Sequence, residues 1–214
     1  MGAPDGTLTA VLEQARTLGF LGPGPVANHV EHAVAFLDLL EDGPGAEGPF
    51  VDLGSGGGVP GLVLATLLPR SRWVLLDSMV RRTRFLDVAV AALGLEDRVE
   101  VVTARAEAAG RDPGRRGAHR AVVARSFAAP PVLAECAAPL LRPGGTVIVS
   151  EPPAEADADG PRPGRWPRAG LAEVGLALDH WVAGPPSLIR LRAEAGCPRR
   201  FPRPTGVPGK QPLW

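Results

Sequence analysis

Cysteine, lysine and long apolar stretches are all scarce in this chain, and net charge is absent. Cys136 and Cys197 are the only cysteines; two are too few for a disulfide framework, so the fold must rest on a buried core. No apolar run approaches the ~20 residues of a membrane-spanning helix. No secretory leader pattern is visible either, so the expected location is cytoplasmic. Of 23 basic residues only Lys210 is a lysine, a bias that genome composition alone can produce and that carries no functional weight. With 23 acids against 23 bases, the whole molecule offers no electrostatic attraction to nucleic acid. The charge is uneven, however: residues 1–50 hold seven acids and one base, and 101–150 hold three acids and seven arginines. No convincing Ser/His/Asp or paired-carboxylate constellation is present. His29 and His32 stand three apart in a helical stretch without a cysteine or carboxylate cluster; packing or capping is the expected role, and no metal site is expected.

What is present starts with Asp52-Leu-Gly-Ser-Gly-Gly-Gly-Val-Pro-Gly61, between the apolar pair Phe50-Val51 and an apolar segment of helical length, Leu62 to Leu68. A strand that ends in a glycine turn and opens a helix lets a nucleotide cofactor approach the backbone and the helix N-terminus. Pro60 suits the first helical turn. At 214 residues the chain is long enough for one domain with a proper core.

Around this turn the periodicity is orderly. Residues 8–21 and 26–40 read as amphipathic helices separated by Gly22-Pro-Gly-Pro25, and the Gly/Pro-rich 43–49 closes this helical preface. Strands are then expected at Phe50, Trp73–Asp77, Val99–Thr103, Ala121–Ala124 and Thr146–Ser150, with helices near 79–93 and 130–141 and a short turn at 104–108. Residues 151–168 read as a mobile Pro/Gly/acid loop, 177–182 and 187–191 as an antiparallel hairpin, and the tail from 196 as aperiodic. Strands alternating with helices imply βαβ units and a parallel sheet. Finished by a hairpin, this is an α/β, Rossmann-like class I methyltransferase arrangement: a mostly parallel seven-stranded sheet with an antiparallel C-terminal pair. The expected organisation is a helical cap over 1–49, a methyltransferase domain over 50–195 and a Pro/Arg-rich tail over 196–214.

A lone glycine turn also fits dinucleotide binding. Three features favour S-adenosylmethionine. Asp52 precedes Gly54 by two, giving the D-x-G-x-G-x-G form with an acid facing the cofactor's amino-acid part; Ser55 and Gly56 belong to the same turn. Asp77 ends the second strand nineteen residues after Gly58 and can accept both ribose hydroxyls, although that acid alone does not separate the two cofactors. Leu141-Arg-Pro-Gly-Gly145 before the fifth strand is typical of methyltransferases.

DLGSGGGVPG, then LLDSMVRRTRFL at 75–86, Arg105-Ala-Glu107, Ala124-Arg-Ser-Phe127 and Phe201-Pro-Arg-Pro-Thr-Gly-Val-Pro-Gly-Lys-Gln-Pro-Leu213 follow one another in an order and spacing that resembles the bacterial glucose-inhibited division protein B family. Its members methylate N7 of a guanine in small-subunit (16S) ribosomal RNA. The resemblance covers residues 28–213, starting at His29-Val-Glu-His. It implies cofactor contacts at Gly54, Val59, Ala106 and Glu107, and Arg125 beside both the cofactor and the target base, where it is the catalytic candidate. Arg81 and Arg82, with Arg84 beside them, and Arg199, Arg200, Arg203 and Lys210 are candidates for RNA contact. The implied partner is 16S ribosomal RNA or the small ribosomal subunit.

Four departures bear on the substrate: a helical N-terminal region shorter than usual in the family, Ser150-Glu151-Pro152 in place of a lysine-glycine, Arg81 in place of lysine, and Pro204 in place of an arginine. Losing a cation and gaining an acid beside the substrate mouth is expected to weaken RNA contact. Guanine N7 already presents a lone pair, so alignment and electrostatics are expected to carry catalysis rather than a base. Two alternatives stay open: a methyltransferase of the same descent acting on a small molecule or a protein, and a non-catalytic cofactor-binding partner of RNA or ribosome assembly.

Overall fold

The structure is a computed structural model, and it describes residues 6–40, 45, 47–152, 161–162 and 164–214. Its strands are β1 (Phe50–Leu53), β2 (Trp73–Asp77), β3 (Val99–Thr103), β4 (His119–Ala124), β5 (Leu141–Glu151), β6 (Leu176–Val182) and β7 (Ser187–Ala193). They form one sheet in the order β3-β2-β1-β4-β5-β7-β6. β7 pairs antiparallel with both β5 and β6, and every other pairing is parallel. The helices are α1 (Gly6–Thr17), α2 (Val26–Val34), α3 (Gly61–Leu67), α4 (Val80–Ala92), α5 (Ala106–Ala109), α6 (Pro130–Ala137), α7 (Arg168–Glu173) and α8 (Val207–Lys210).

β1 and β2 are buried along their whole length, as expected of strands covered on both faces. Their side chains alternate between two cores. Val51, Leu53, Val74, Leu76, Val122 and Val147 pack with α6, α7 and Phe201 of the tail. Phe50, Trp73, Leu75, Val123 and Ile148 pack with α1, α3 and α4. Leu8, Leu12, Val26 and Val30 join α1 and α2 to Val59 and Val63, which fixes both helices over the glycine turn. From β1 the chain winds outward through β2 to β3; from β4 it winds the other way to β5. The carboxyl ends of β1 and β4 therefore flank the switch point where α/β sheets open a crevice.

The seven-stranded sheet with its antiparallel hairpin is the arrangement expected from sequence. The first helix, however, ends at Thr17 rather than near residue 21, and Phe20 and Leu21 turn back over the glycine loop. The second is α-helical only to Val34 and tightens into a 3-10 turn over Ala35–Leu39. The helix from Pro130 is α-helical to Ala137 and then 3-10 through Ala138–Leu140, where Pro139 has no N–H to continue the ladder. β5 starts at Leu141, because Leu141 pairs with His119. The short turn expected at 104–108 is the helical turn α5. Of the expected mobile loop, 153–160 and 163 lie outside the described residues.

The tail is not an aperiodic appendage. Arg116 donates to the carbonyls of Cys197, Pro198 and Phe201, and Arg111 to that of Pro202. Arg203 donates from N, Nε and Nη2 to Glu135, which is fully buried on α6. Trp214 lies against Gly170, where a Cβ would meet its indole, and donates from Nε1 to the Arg165 carbonyl at 3.2 Å.

Candidate active site

Two cavities of about 230 Å3 each flank the end of β1 and share Gly54, Arg82 and Ser126. One runs from Gly54 past Asp77 to Ala106 and Glu107. The other runs from Gly54 along Ser55, Gly56 and Val59 beneath Phe20 and Leu21. Gly54 carries φ +77°, which a side chain rarely adopts. A Cβ there would also stand 2.7 Å from Cδ2 of Phe127, so glycine keeps the junction open.

Asp77 reaches this junction because β2 stops there. Its Oδ2 accepts from Gly56 N at 3.0 Å and its Oδ1 from Met79 N at 2.9 Å, with Arg82 Nη1 3.5 Å away. A carboxylate offers about four acceptor positions, so it can still receive hydroxyl donors. Glu107, 3% exposed, accepts from Gly206 N at 2.9 Å. Burial works to raise its carboxyl, but the Gly206 N–H and Arg105 outweigh that and hold it below the usual range. The tail thus supplies one of the groups that set this wall.

Asp52 takes a different place from the one expected. Its Oδ2 accepts from Gly61 N at 2.9 Å, at the start of α3, and it lines neither cavity. A Cβ at Gly61 would collide with the carboxylate, so that glycine lets the acid seat itself under the helix N-terminus and brace the turn from behind. Burial pushes its carboxyl up to about 7, against the Gly61 hydrogen bond. Ser55 likewise turns inward, donating from Oγ to the Asp52 carbonyl at 2.9 Å.

Arg125 follows β4 and stands between the glycine-turn cavity and a third cavity. Its Nη2 donates to His29 Nδ1 at 2.8 Å, while the other ring nitrogen of His29 lies 3.1 Å from the Gly22 carbonyl. A guanidinium cannot accept, so Nδ1 must carry the lone pair and Nε2 the proton. Burial and then the Arg125 charge lower the His29 pKa, which agrees with this neutral tautomer. His32 lines the third cavity; burial, Arg125 and His29 push it down to about 4. Of the two histidines expected to serve packing or capping, His32 therefore faces the site, and His29 is buried behind Arg125 and holds it. Their three-residue spacing on α2, which places both on one helix face, was the signal. Ser126 completes the bend with φ 54°, the only positive φ outside glycine among the described residues; such outliers persist where surrounding structure fixes them.

The third cavity, of about 350 Å3, is lined by His32, Arg125, Phe127, Glu151, Arg165 and Trp166 among others. Glu151 does not stand as a free negative charge at a mouth, contrary to expectation. Its side chain is 6% exposed and Arg165 Nε donates to it, so the acid at the end of the fifth strand belongs to a charge-balanced pair.

Of the residues named for RNA contact, Arg81, Arg199, Arg200 and Lys210 are exposed, with Arg81 over Phe20 and Arg200 over Phe201. Arg82 is turned toward Asp77. Arg203 is not available for phosphate, since Glu135 and the Gln211 carbonyl take its guanidinium.

The overall fold is shared with solved structures. A putative O-methyltransferase from Klebsiella pneumoniae superposes with a TM-score of 0.60 at 18% identity, covering 91% of this chain and 92% of that one. The O-methyltransferase from Bacillus cereus in complex with SAH gives 0.59 at 19% identity, over 89% and 92%. These likenesses establish the class I methyltransferase fold. In sequence, the family described as rRNA small subunit methyltransferase G matches residues 25–155. The chain belongs to the rRNA small subunit methyltransferase G family. Relatives bearing that name include the protein of Parasynechococcus marenigrum, 39% identical over an alignment of 177 positions that covers 76% of this chain and 66% of the relative. That of Rubrobacter xylanophilus is 37% identical over an alignment of 220 positions that covers 96% of this chain and 80% of the relative. The chain thus spans between about two thirds and four fifths of the length of these two relatives. The match to methyltransferase G begins ahead of His29 and runs past Glu151, so it contains every residue on the walls of the third cavity named above except Arg165 and Trp166.

Among the described residues no helix is long and apolar enough to cross a membrane, and no cluster of three or more metal-ligating side chains occurs.

Proposed function

We propose that this protein uses S-adenosylmethionine to methylate N7 of a guanine in 16S ribosomal RNA, within the small ribosomal subunit and hence in the cytoplasm. The observation that carries the reading is the junction at Gly54. There, an acid-lined cavity suited to a nucleoside meets the glycine turn, and Arg125 bounds a third space beside them. Membership of the methyltransferase G family supports the choice of substrate.

The residues present fit the cofactor. Asp77 keeps acceptor capacity for ribose hydroxyls, Ala106 and Glu107 line the adenine side, and Gly54 bares its backbone where a Cβ would close the passage. When bound, the cofactor supplies an electrophilic sulfonium methyl. The chain's task is to seat the base so that its N7 lone pair points along the line of transfer, a form of positioning that supplies roughly 7–11 kcal/mol in well-oriented reactions. No group is needed to remove a proton. Arg125, fixed by His29, holds its position beside the base; burial lowers its pKa and Asp52 counteracts this. Arg81, Arg199, Arg200 and Lys210 supply cationic contacts for phosphates.

Small subunits from cells lacking this enzyme, incubated with the protein and methyl-labelled cofactor, test the reading. Label should enter 16S ribosomal RNA at one guanine and sensitise that position to N7-specific strand cleavage. Label in protein or small metabolites alone, or none at all despite cofactor binding, overturns it.

A further inference from the structure

The third cavity contains a group that the proposed chemistry has not used. Glu151 ends β5, lies almost wholly out of solvent, and reaches the same space as Trp166, Phe127, His32 and Arg125. Arg165 Nε occupies one of its acceptor positions. Trp166 Nε1 and His32 Nε2 are buried without hydrogen-bond partners, and unmet buried polar groups of this kind mark a space built for something polar. At about 350 Å3 the cavity lies within the roughly 300–1,000 Å3 of small-molecule sites.

We propose that Glu151 reads the target guanine, its carboxylate accepting from N1–H and the N2 amino group of a base swung out into this cavity. The proposal rests on the reading that guanine N7 is the methyl acceptor. N1–H and N2–H are adjacent donors on one edge of guanine, matching an acceptor-only carboxylate. Adenine offers a lone pair at N1 and is repelled. The topology sets the direction: β4, whose end forms the wall shared with the cofactor cavities, lies between β1 and β5. Glu151 therefore approaches from the side away from the glycine turn. A guanine with its N1/N2 edge toward β5 turns its opposite, N7 side toward β4 and β1, where methyl transfer would occur. Trp166 and Phe127 offer aromatic walls of the kind that flipped bases stack on.

The same contact has an electrostatic consequence. As N7 forms its new bond to carbon, the purine becomes cationic and its N1–H more acidic, so the hydrogen bonds to Glu151 strengthen along the reaction. An interaction stronger in the transition state than in the ground state raises kcat and not only affinity. The acid at the end of β5 then serves base selection, with Arg165 balancing its charge before the base arrives.

Single-turnover methyl transfer to small subunits tests this. Glu151→Gln should lower kcat/KM by about 10- to 100-fold, the worth of a bidentate base contact, with most of the loss in kcat and cofactor affinity by calorimetry unchanged. Arg165→Gln, which breaks the same ion pair but leaves the acceptor, should lose less than about threefold. Subunits reconstituted with inosine at the mapped target lack the N2 amino group; the wild type should act on them about tenfold more slowly, and Glu151→Gln should be indifferent to the exchange. A wild type equally fast on inosine, which needs no variant to establish, overturns the proposal. So does a Glu151→Gln enzyme within twofold of wild type, or an Arg165→Gln loss as large as that of Glu151→Gln. A wild type that transfers no methyl to ribosomal RNA instead sinks the functional reading beneath it.

Discussion

The two sides of the crevice are built in opposite ways. The cofactor side comes from short consecutive segments: the turn after β1, the acid that ends β2 and the α5 turn after β3. Each is placed by its own strand, and the parallel register brings them together. The side around the third cavity, where the base is proposed to sit, is gathered from α2, the ends of β4 and β5, and residues 165–166. The last are held by a tail whose end, Trp214, reaches back to the Arg165 carbonyl. A local construction is disabled by one change within it, whereas a gathered one can be loosened from a distance.

Arg203→Ala should have the largest effect and break the comparison on its distant side. It strips a fully buried Glu135 of its charged partner, a loss that costs 3–5 kcal/mol in buried pairs. The Arg203 backbone N–H still donates to Glu135, so about 3 kcal/mol and a fall in Tm of roughly 6–12 °C are expected. Calorimetry checks this, and methyl transfer should suffer more than cofactor binding. Gly54→Val attacks the local side. With φ +77° and Phe127 2.7 Å from the new Cβ, cofactor affinity should fall by more than about 100-fold while stability drops by about 1–3 kcal/mol. Wild-type affinity in a titration would contradict the role given to the junction. Asp77→Ala should weaken cofactor binding by about 10- to 100-fold, as expected for lost hydrogen bonds to a charged acceptor. Unchanged affinity would remove the ribose assignment.

The smallest effect is one of pH. His32 is pushed down from 6.5 to about 4, so between these values the unfolded chain binds a proton that the folded chain does not, and stability falls on acidification through the window. Asp52, raised from 3.8 to about 7, works with the opposite sign: the folded chain holds the extra proton, and stability falls as pH rises through that range. In His32→Gln only the second effect remains. The variant should therefore gain about 1–2 kcal/mol relative to wild type as pH falls from 6.5 to 4, measurable by urea denaturation. Parallel pH curves for the two proteins would show that His32 does not titrate in this window.

Much of the molecule was legible because it is local. Trp73–Asp77 and Val99–Thr103 have the bounds expected from their apolar runs, and Asp77 stands at the cavity because a strand's last residue projects where the strand stops. Asp52 shows where local reading fails: its position at a strand end was visible, but its turn toward Gly61 depends on how closely α3 packs. His29 and His32 looked like packing residues because Arg125, which bonds His29 and lines a cavity with His32, lies 96 positions from His29. The tail looked unstructured because its order comes from Arg111, Arg116 and Glu135 and not from periodicity.

By itself the sequence determined the order of strands and helices, the glycine turn and the acid nineteen residues beyond Gly58, since hydrophobic period and turn chemistry act over a few residues. Only the tertiary structure decided that Arg203 serves Glu135 and not phosphate, that Glu151 is neutralised by Arg165, and that His32 faces a cavity while His29 holds Arg125. Those outcomes depend on which charges burial brings within hydrogen-bond reach, and that distance is fixed by packing across the sheet, not by separation along the chain.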